Sequence, residues 1–157
     1  PFREEDPAID ALKHELQLRI LTAVDQGYTT YLCGMARGVD IWAGEIVAGL
    51  WEPFRNLKLV AVIPFSQQAQ NWEPEWEIRH RRLLRYCSNV VTISDHYVRG
   101  CFQERNRYLV DHASRLIGVC RGESGGTGYT IRYARSQGLE LDVIQLAAIG
   151  ADQLSSL

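Results

Sequence analysis

Residues 58–65 read KLVAVIPF, an unbroken apolar run of strand length. A run that is apolar on both sides of its pleat belongs to a strand covered on both faces, the condition of a parallel sheet flanked by helices. RLIGVC (115–120) has the same character, and YTTYLC (28–33), NVVTIS (89–94) and LELDVIQL (139–146) have strand length and strand composition. Segments of helical period lie between them. Asp6-Pro7 forms a helix-start pair, after which Ile9, Leu12, Leu16, Ile20 and Val24 recur at helical spacing until Gly27. Val39, Trp42, Ala43, Ile46, Val47 and Leu50 define the next helix. Others are expected up to about Tyr86, from about Phe102 to Ala113, and up to about Gln137, where Gly138 stops the last one. Strand and helix alternate without repeats, so the expected fold class is α/β, a three-layer α/β/α arrangement around a mostly parallel sheet.

The chain has 157 residues and is 46% hydrophobic, which fits one domain over 1–146 followed by a short tail, 147–157. The tail reads as a short closing helix or as disordered. A formal net charge of −2 counts against a surface that grips nucleic acid everywhere, though a local basic strip survives it. No apolar run reaches membrane-spanning length and no leader-like start is visible, so no membrane partner is expected and the reading is cytoplasmic. Cys33, Cys87, Cys101 and Cys120 include no CxxC pair and suit a reducing compartment. The histidines form no HExxH motif, so no metal site is expected. The opening PFREEDPAID reads as the middle of a loop leading into a helix, which points to something upstream of Pro1.

In parallel sheets, ligands bind outside the carboxyl ends of the strands. The unusual loops here, 34–40, 64–76, 95–101 and 121–128, all follow strands and are expected to converge on one edge. GMARGVD (34–40) supplies Gly34, expected to take the positive φ of a sharp exit, and Gly38, expected to admit a close neighbour. Backbone N–H groups at the helix start beyond it suit an anion. The plainer alternative is two turn glycines with Asp40 as N-cap, since the motif lacks the GxGxxG spacing and the P-loop lysine. SGGTGYT (124–130) is a second glycine-rich turn, whose donors and threonines suit a phosphate or ribose; its plainer reading is a flexible, capped turn. Arg105 and Asn106 fall in a first helical turn near the same edge, where an arginine clamps phosphate bidentately and an asparagine orients a base or sugar. A solvated helix face is the alternative, and Arg37 shares that ambiguity.

QNWEPEWEIRHRRLLR interleaves Gln68, Trp72 and Trp76 with Arg79, Arg81, Arg82 and Arg85. Aromatics and arginines together stack bases and hold phosphates, but Trp76, Leu83 and Leu84 also share a stripe that fits a core. The segment around Gln68–Trp72 is long for a strand-to-helix connection and reads equally as a lid. Asp40 and Glu45 are the carboxylates best placed for acid–base work, ahead of Asp111 and Glu123. No Ser-His-Asp order stands out.

With these residues assembled, the chain resembles the YpsA-like branch of the SLOG superfamily, whose Rossmann-like members include the DNA-processing protein DprA and the LOG phosphoribohydrolases. GMARGVDIWAGEIV is similar to the first glycine motif and helix of that branch, VIPFSQQAQNW to its Pro-Phe-x-x-Gln lid, and GCFQERNRYLVDHASRLIGVCRGESGGTGYTIRYA to the run from its Arg-Asn helix to its second glycine motif. The resemblance implies a nucleotide-derived ligand lined by Gly34, Gly38, Asp40, Arg105, Asn106, Gly125, Gly126 and Thr127. Met35 and Arg37 of the same turn, and Pro64, Phe65, Gln68 and Trp72 of the lid segment, complete the candidate set. It also implies a strand and a Thr-Gly-His-Arg-like turn ahead of Pro1. LOG enzymes carry a glutamate shortly after their second glycine motif, where this chain has Arg132, which counts against phosphoribohydrolase activity.

The leading reading is therefore a nucleotide-binding sensor or regulatory domain, with no cofactor needed for folding. A nucleotide hydrolase using Asp40 or Glu45, and single-stranded DNA binding in the manner of DprA, are the alternatives. A homo-oligomer formed by packing a sheet edge against a second copy is compatible with this reading, though no feature of the sequence argues for it.

Overall fold

Parallel pairing is uniform. The structure is a computed structural model that describes residues 6–122 and 125–149. Helix and strand alternate along it, in the order expected of a Rossmann-like α/β fold. The chain divides into two compact units, one of Gly27–Leu109 and one joining the start of the chain to Val110 and beyond.

The central unit holds β1 (Thr30–Cys33), α2 (Val39–Gly49), β2 (Lys58–Phe65), α3 (Pro74–Leu84), β3 (Asn89–Ser94) and most of α4 (Cys101–Asp111); α1 (Pro7–Asp25) precedes it. Its sheet has the order β1-β2-β3, with Thr30 opposite Lys58, Cys33 opposite Ala61, Val60 opposite Asn89 and Phe65 opposite Ser94. β2 is the middle strand, and Leu59, Ala61, Val62, Ile63 and Pro64 are all buried, as an apolar run requires. Because the three strands run the same way, the loops leaving β1, β2 and β3 emerge at one end of this sheet.

The cores of α2 and α3 meet through Trp42 and Trp76, whose ring centroids are 6.1 Å apart. Burying a ring of that size is worth about 4–6 kcal/mol of transfer free energy. A Cβ on Gly44 would lie 2.6 Å from Leu83 Cδ2, so the missing side chain is what lets α3 approach. Of the stripe expected on α3, Trp76 and Leu83 are buried and Leu84 is half-buried; His80 joins the buried side, while Arg81, Arg82 and Arg85 are exposed.

The other unit contains α1, β4 (Arg115–Cys120), α5 (Gly125–Ser136), β5 (Glu140–Gln145) and a 3-10 turn at Leu146–Ile149. Asp6 caps α1 by accepting from the Ala8 N–H at 2.9 Å, and Pro7 occupies the first turn. The buried stripe is Ile9, Leu12, Leu16, Ile20 and Ala23, the last displacing the expected Val24. β4 and β5 pair in parallel from Arg115–Glu140 to Cys120–Gln145, and Arg19 of α1 reaches Asp142 of β5 at 2.9 Å.

Two expectations change. The strands form two hydrogen-bonded sheets in place of one, because among the described residues β1 pairs only with β2 and β4 only with β5. Within the second glycine segment α5 begins at Gly125, so Gly126, Thr127 and Gly128 lie in its first turn and not in a loop ahead of it, while Gly125 keeps a left-handed φ of 76°. Among the described residues, no helix is long and apolar enough to cross a membrane.

Candidate functional site

The turn after β1 is shaped by two glycines whose roles are the reverse of those expected. Gly38 carries the positive φ, 84°, while Gly34 does not; the other left-handed residue of the turn is Met35, at φ 57° and fully buried. A buried non-glycine in that region is uncommon and must be held by its surroundings. Gly34 is instead required by a close approach. A Cβ there would lie 2.6 Å from Asp40 Oδ2 and 2.9 Å from Arg105 Cζ. The Gly34 carbonyl accepts from Arg105 Nη1 of α4, and the same Nη1 lies 3.4 Å from Asp40 Oδ2.

Asp40 is not the N-cap. α2 starts after Gly38 with no side-chain cap, and Asp40 Oδ2 accepts from the Ala36 N–H at 3.1 Å, closing the turn from within the helix. Arg105 is only 7% exposed, and its Nε has no hydrogen-bond partner among the described residues. Such a donor, buried and unmet, is costly and calls for an explanation. Asn106, the next residue, is half-buried.

The segment after β2 lies fastened to this turn. Gln68 is buried and its Nε2 donates to the Met35 carbonyl at 2.5 Å; it also lies 3.4 Å from His80 Nε2, which accepts in the neutral ring. Burial holds the His80 imidazole below its ordinary pKa, in keeping with that role. Trp72 meets His80 edge to face at 5.3 Å. Arg37 bridges from the first turn, pairing with Glu73 at 2.6 Å and lying 5.6 Å from the Trp72 ring centre. Glu73's own backbone N–H, and then Arg37, hold its carboxyl below the usual range. His80 and Glu73 were not singled out from sequence; the spacing of His80 on the Trp76–Leu83 stripe was the available signal.

Glu45, one of two carboxylates considered for acid–base chemistry, is engaged with Arg79 of α3, at 2.8 Å to Nε and 2.5 Å to Nη2. The Arg79 guanidinium also sits 4.6 Å from the Trp76 ring centre. Glu45 thus joins two helices. Pro64 is buried, and Phe65 meets Tyr97 at 5.7 Å and Phe102 at 6.0 Å, both edge to face.

In the other unit, Gly125, Gly126 and Thr127 are exposed at the start of α5, and Gly125 has φ 76°. Thr130 Oγ1 donates back to the Gly126 carbonyl at 3.0 Å. Asp111 accepts from the Tyr133 hydroxyl at 2.8 Å. Glu123 and Ser124 lie outside the described residues, as does the tail beyond residue 149.

Comparison with known proteins agrees with the resemblance drawn from these motifs. The YpsA family model, described as the YspA SLOG family, matches residues 1–154. A UPF0398 protein of Bacillus pumilus is 27% identical over 138 residues, covering 86% of this chain and 74% of that protein. A UPF0398 protein of Lysinibacillus sphaericus is 22% identical over 158 residues, covering 99% and 88%. The UPF0398 protein YpsA of Bacillus subtilis is 23% identical over 128 residues, covering 80% and 71%. With its turn of Gly34–Asp40, its Arg105-bearing helix and a family match along nearly its whole length, the chain belongs to the YspA SLOG family.

Proposed function

We propose that the chain binds a nucleotide or nucleotide derivative, as a sensor or regulatory domain, at the loops that follow β1, β2 and β3. The observation that carries this reading is the buried Arg105 guanidinium beside the uncapped start of α2. The first N–H groups of a helix have no partner within it and attract negative charge, and a buried arginine strengthens that attraction. Arg105 is held in place through Nη1 by the Gly34 carbonyl, so its cation is preordered. Both carboxylates considered for catalysis are taken up by protein partners, Asp40 by the Ala36 N–H and Glu45 by Arg79, which favours binding over turnover.

Isothermal titration of the whole chain with AMP, NAD and ADP-ribose tests the reading. Micromolar binding of at least one of them is expected, falling tenfold or more in Arg105→Lys, which keeps the charge but loses the fork. Circular dichroism establishes that the variant is folded. No binding at millimolar ligand, or unchanged binding by a folded Arg105→Lys, would overturn the proposal.

A further inference from the structure

Three aromatic rings converge at the carboxyl ends of β2 and β3: Phe65 at the end of β2, Tyr97 in the loop after β3, and Phe102 in the first turn of α4. Phe65 meets the other two edge to face, and Tyr97 lies 6.4 Å from Phe102 at an interplanar angle of 55°. Rings that gather only to fill a core lose their contact with water. Here Tyr97 stays 61% exposed and Phe102 47% exposed. Just beyond Tyr97 the chain turns into α4: Cys101 N–H donates to the Val98 carbonyl at 3.1 Å, Glu104 N–H to the Gly100 carbonyl at 3.0 Å, and Gly100 takes the left-handed φ of 93°.

Their position identifies the occupant. Phe102 and Arg105 are three residues apart on α4, neighbours about 5–6 Å apart at Cβ on a helix. One end of this short helix thus offers a buried guanidinium with an unmet Nε, and open aromatic surface one turn away. A ligand that joins an anionic group to a flat heteroaromatic ring matches both the charge of the guanidinium and the open ring surface. We infer that Phe65, Tyr97 and Phe102 form the base-stacking subsite of the nucleotide site, with Tyr97 and Phe102 supplying the contact and Phe65 bracing them. The subsite rests on the function proposed above and goes beyond it by assigning the base, which no glycine motif recognises. Stacking is tolerant of sequence because every base has a π-face, so the subsite accepts bases in general.

The test compares AMP with ribose 5-phosphate, which carries the same sugar and phosphate without the base. By titration calorimetry on the whole chain, AMP is expected to bind at least about tenfold more tightly, within the range that stacking provides. Tyr97→Ala and Phe102→Leu, the second keeping apolar bulk while removing the ring, should each weaken AMP about five- to tenfold and leave ribose 5-phosphate unchanged. Equal affinity of the two probes, or AMP binding untouched in both folded variants, overturns the subsite while leaving the anion site standing. Failure of both probes to bind a parent chain that does bind NAD or ADP-ribose overturns the subsite and leaves the proposed function standing, whereas failure of all four ligands removes both. Sedimentation of the parent and variants supplies the remaining outcome: loss of self-association with AMP affinity unchanged assigns the rings to a second copy of the chain and overturns the inference.

Discussion

Replacing Gly34 by alanine isolates the physical role of the first glycine turn. The added Cβ would sit 2.6 Å from Asp40 Oδ2 and 2.9 Å from Arg105 Cζ, closer than carbon tolerates. Asp40 is a third exposed and rotates away; Arg105 is buried and yields only by giving up the Gly34 carbonyl. Crowding a packed interior costs about 1–3 kcal/mol. Displacing Arg105 from the Gly34 carbonyl adds about 1.5–3 kcal/mol for a hydrogen bond to a charged donor. Stiffening the unfolded chain returns about 0.4–1 kcal/mol, because the φ of Gly34 is open to alanine. The net is a loss of about 3 kcal/mol, or a fall of about 6–12 °C in Tm for a chain of this size. Thermal and urea unfolding followed by circular dichroism measure it. Arg105→Ala must absorb most of the effect, giving a coupling of about 2 kcal/mol in a double-mutant cycle. Gly38→Ala is the contrast: it forces alanine to a φ of 84° at a cost of about 1–3 kcal/mol, with no coupling to Arg105. A Gly34→Ala protein within about 0.5 kcal/mol of the parent, or strict additivity with Arg105→Ala, would refute the close-approach argument.

Glu45→Gln breaks the clamp on Arg79 and should lower stability by about 1 kcal/mol, a modest figure because Glu45 is 37% exposed; an unchanged urea midpoint would place the pair among ineffective surface bridges. The lowered pKa of His80 means that the unfolded chain takes up a proton more readily than the folded one below about pH 6.5. The contribution of His80 is therefore complete above that pH and is lost as pH falls through the depressed folded value. His80→Gln should flatten the parent's fall in urea midpoint between pH 7 and pH 5, and an identical slope in both proteins would contradict the assignment. Burial, followed by the nearby Asp40 charge, pushes the Cys33 thiol far above its ordinary pKa, and burial pushes Cys87 up to about 11. Alkylation at pH 8 mapped by mass spectrometry should leave Cys33 unmodified until denaturant is added; rapid labelling of the folded chain would exclude the buried placement.

The elements were legible because their signals are local. KLVAVIPF and RLIGVC announce their strands at the observed bounds, and NVVTIS does the same, since apolar run length and β-branching act within a few residues. The Asp6-Pro7 start of α1 is equally local. The candidate site was legible only as a set of types. That Gly34, Asp40 and Arg105 belong together was implied by motif resemblance, but the cause differs from the one expected: Gly34 makes room and Gly38 turns the chain. Glycine composition alone does not separate those roles, because both exploit the same missing Cβ.

Taken by itself, the chain's order of residues determined an alternating α/β fold with parallel strands and put its unusual loops after their carboxyl ends. It did so because hydrophobic period and capping chemistry are properties of neighbouring positions. Only the tertiary structure decided that Arg105 reaches a carbonyl 71 positions away, that Glu45 belongs to Arg79, that Gln68 closes onto Met35, and that Phe65, Tyr97 and Phe102 share one corner. Each of these depends on where whole elements pack. The same residue types at the same spacings are compatible with solvated faces until burial singles out one partner for each.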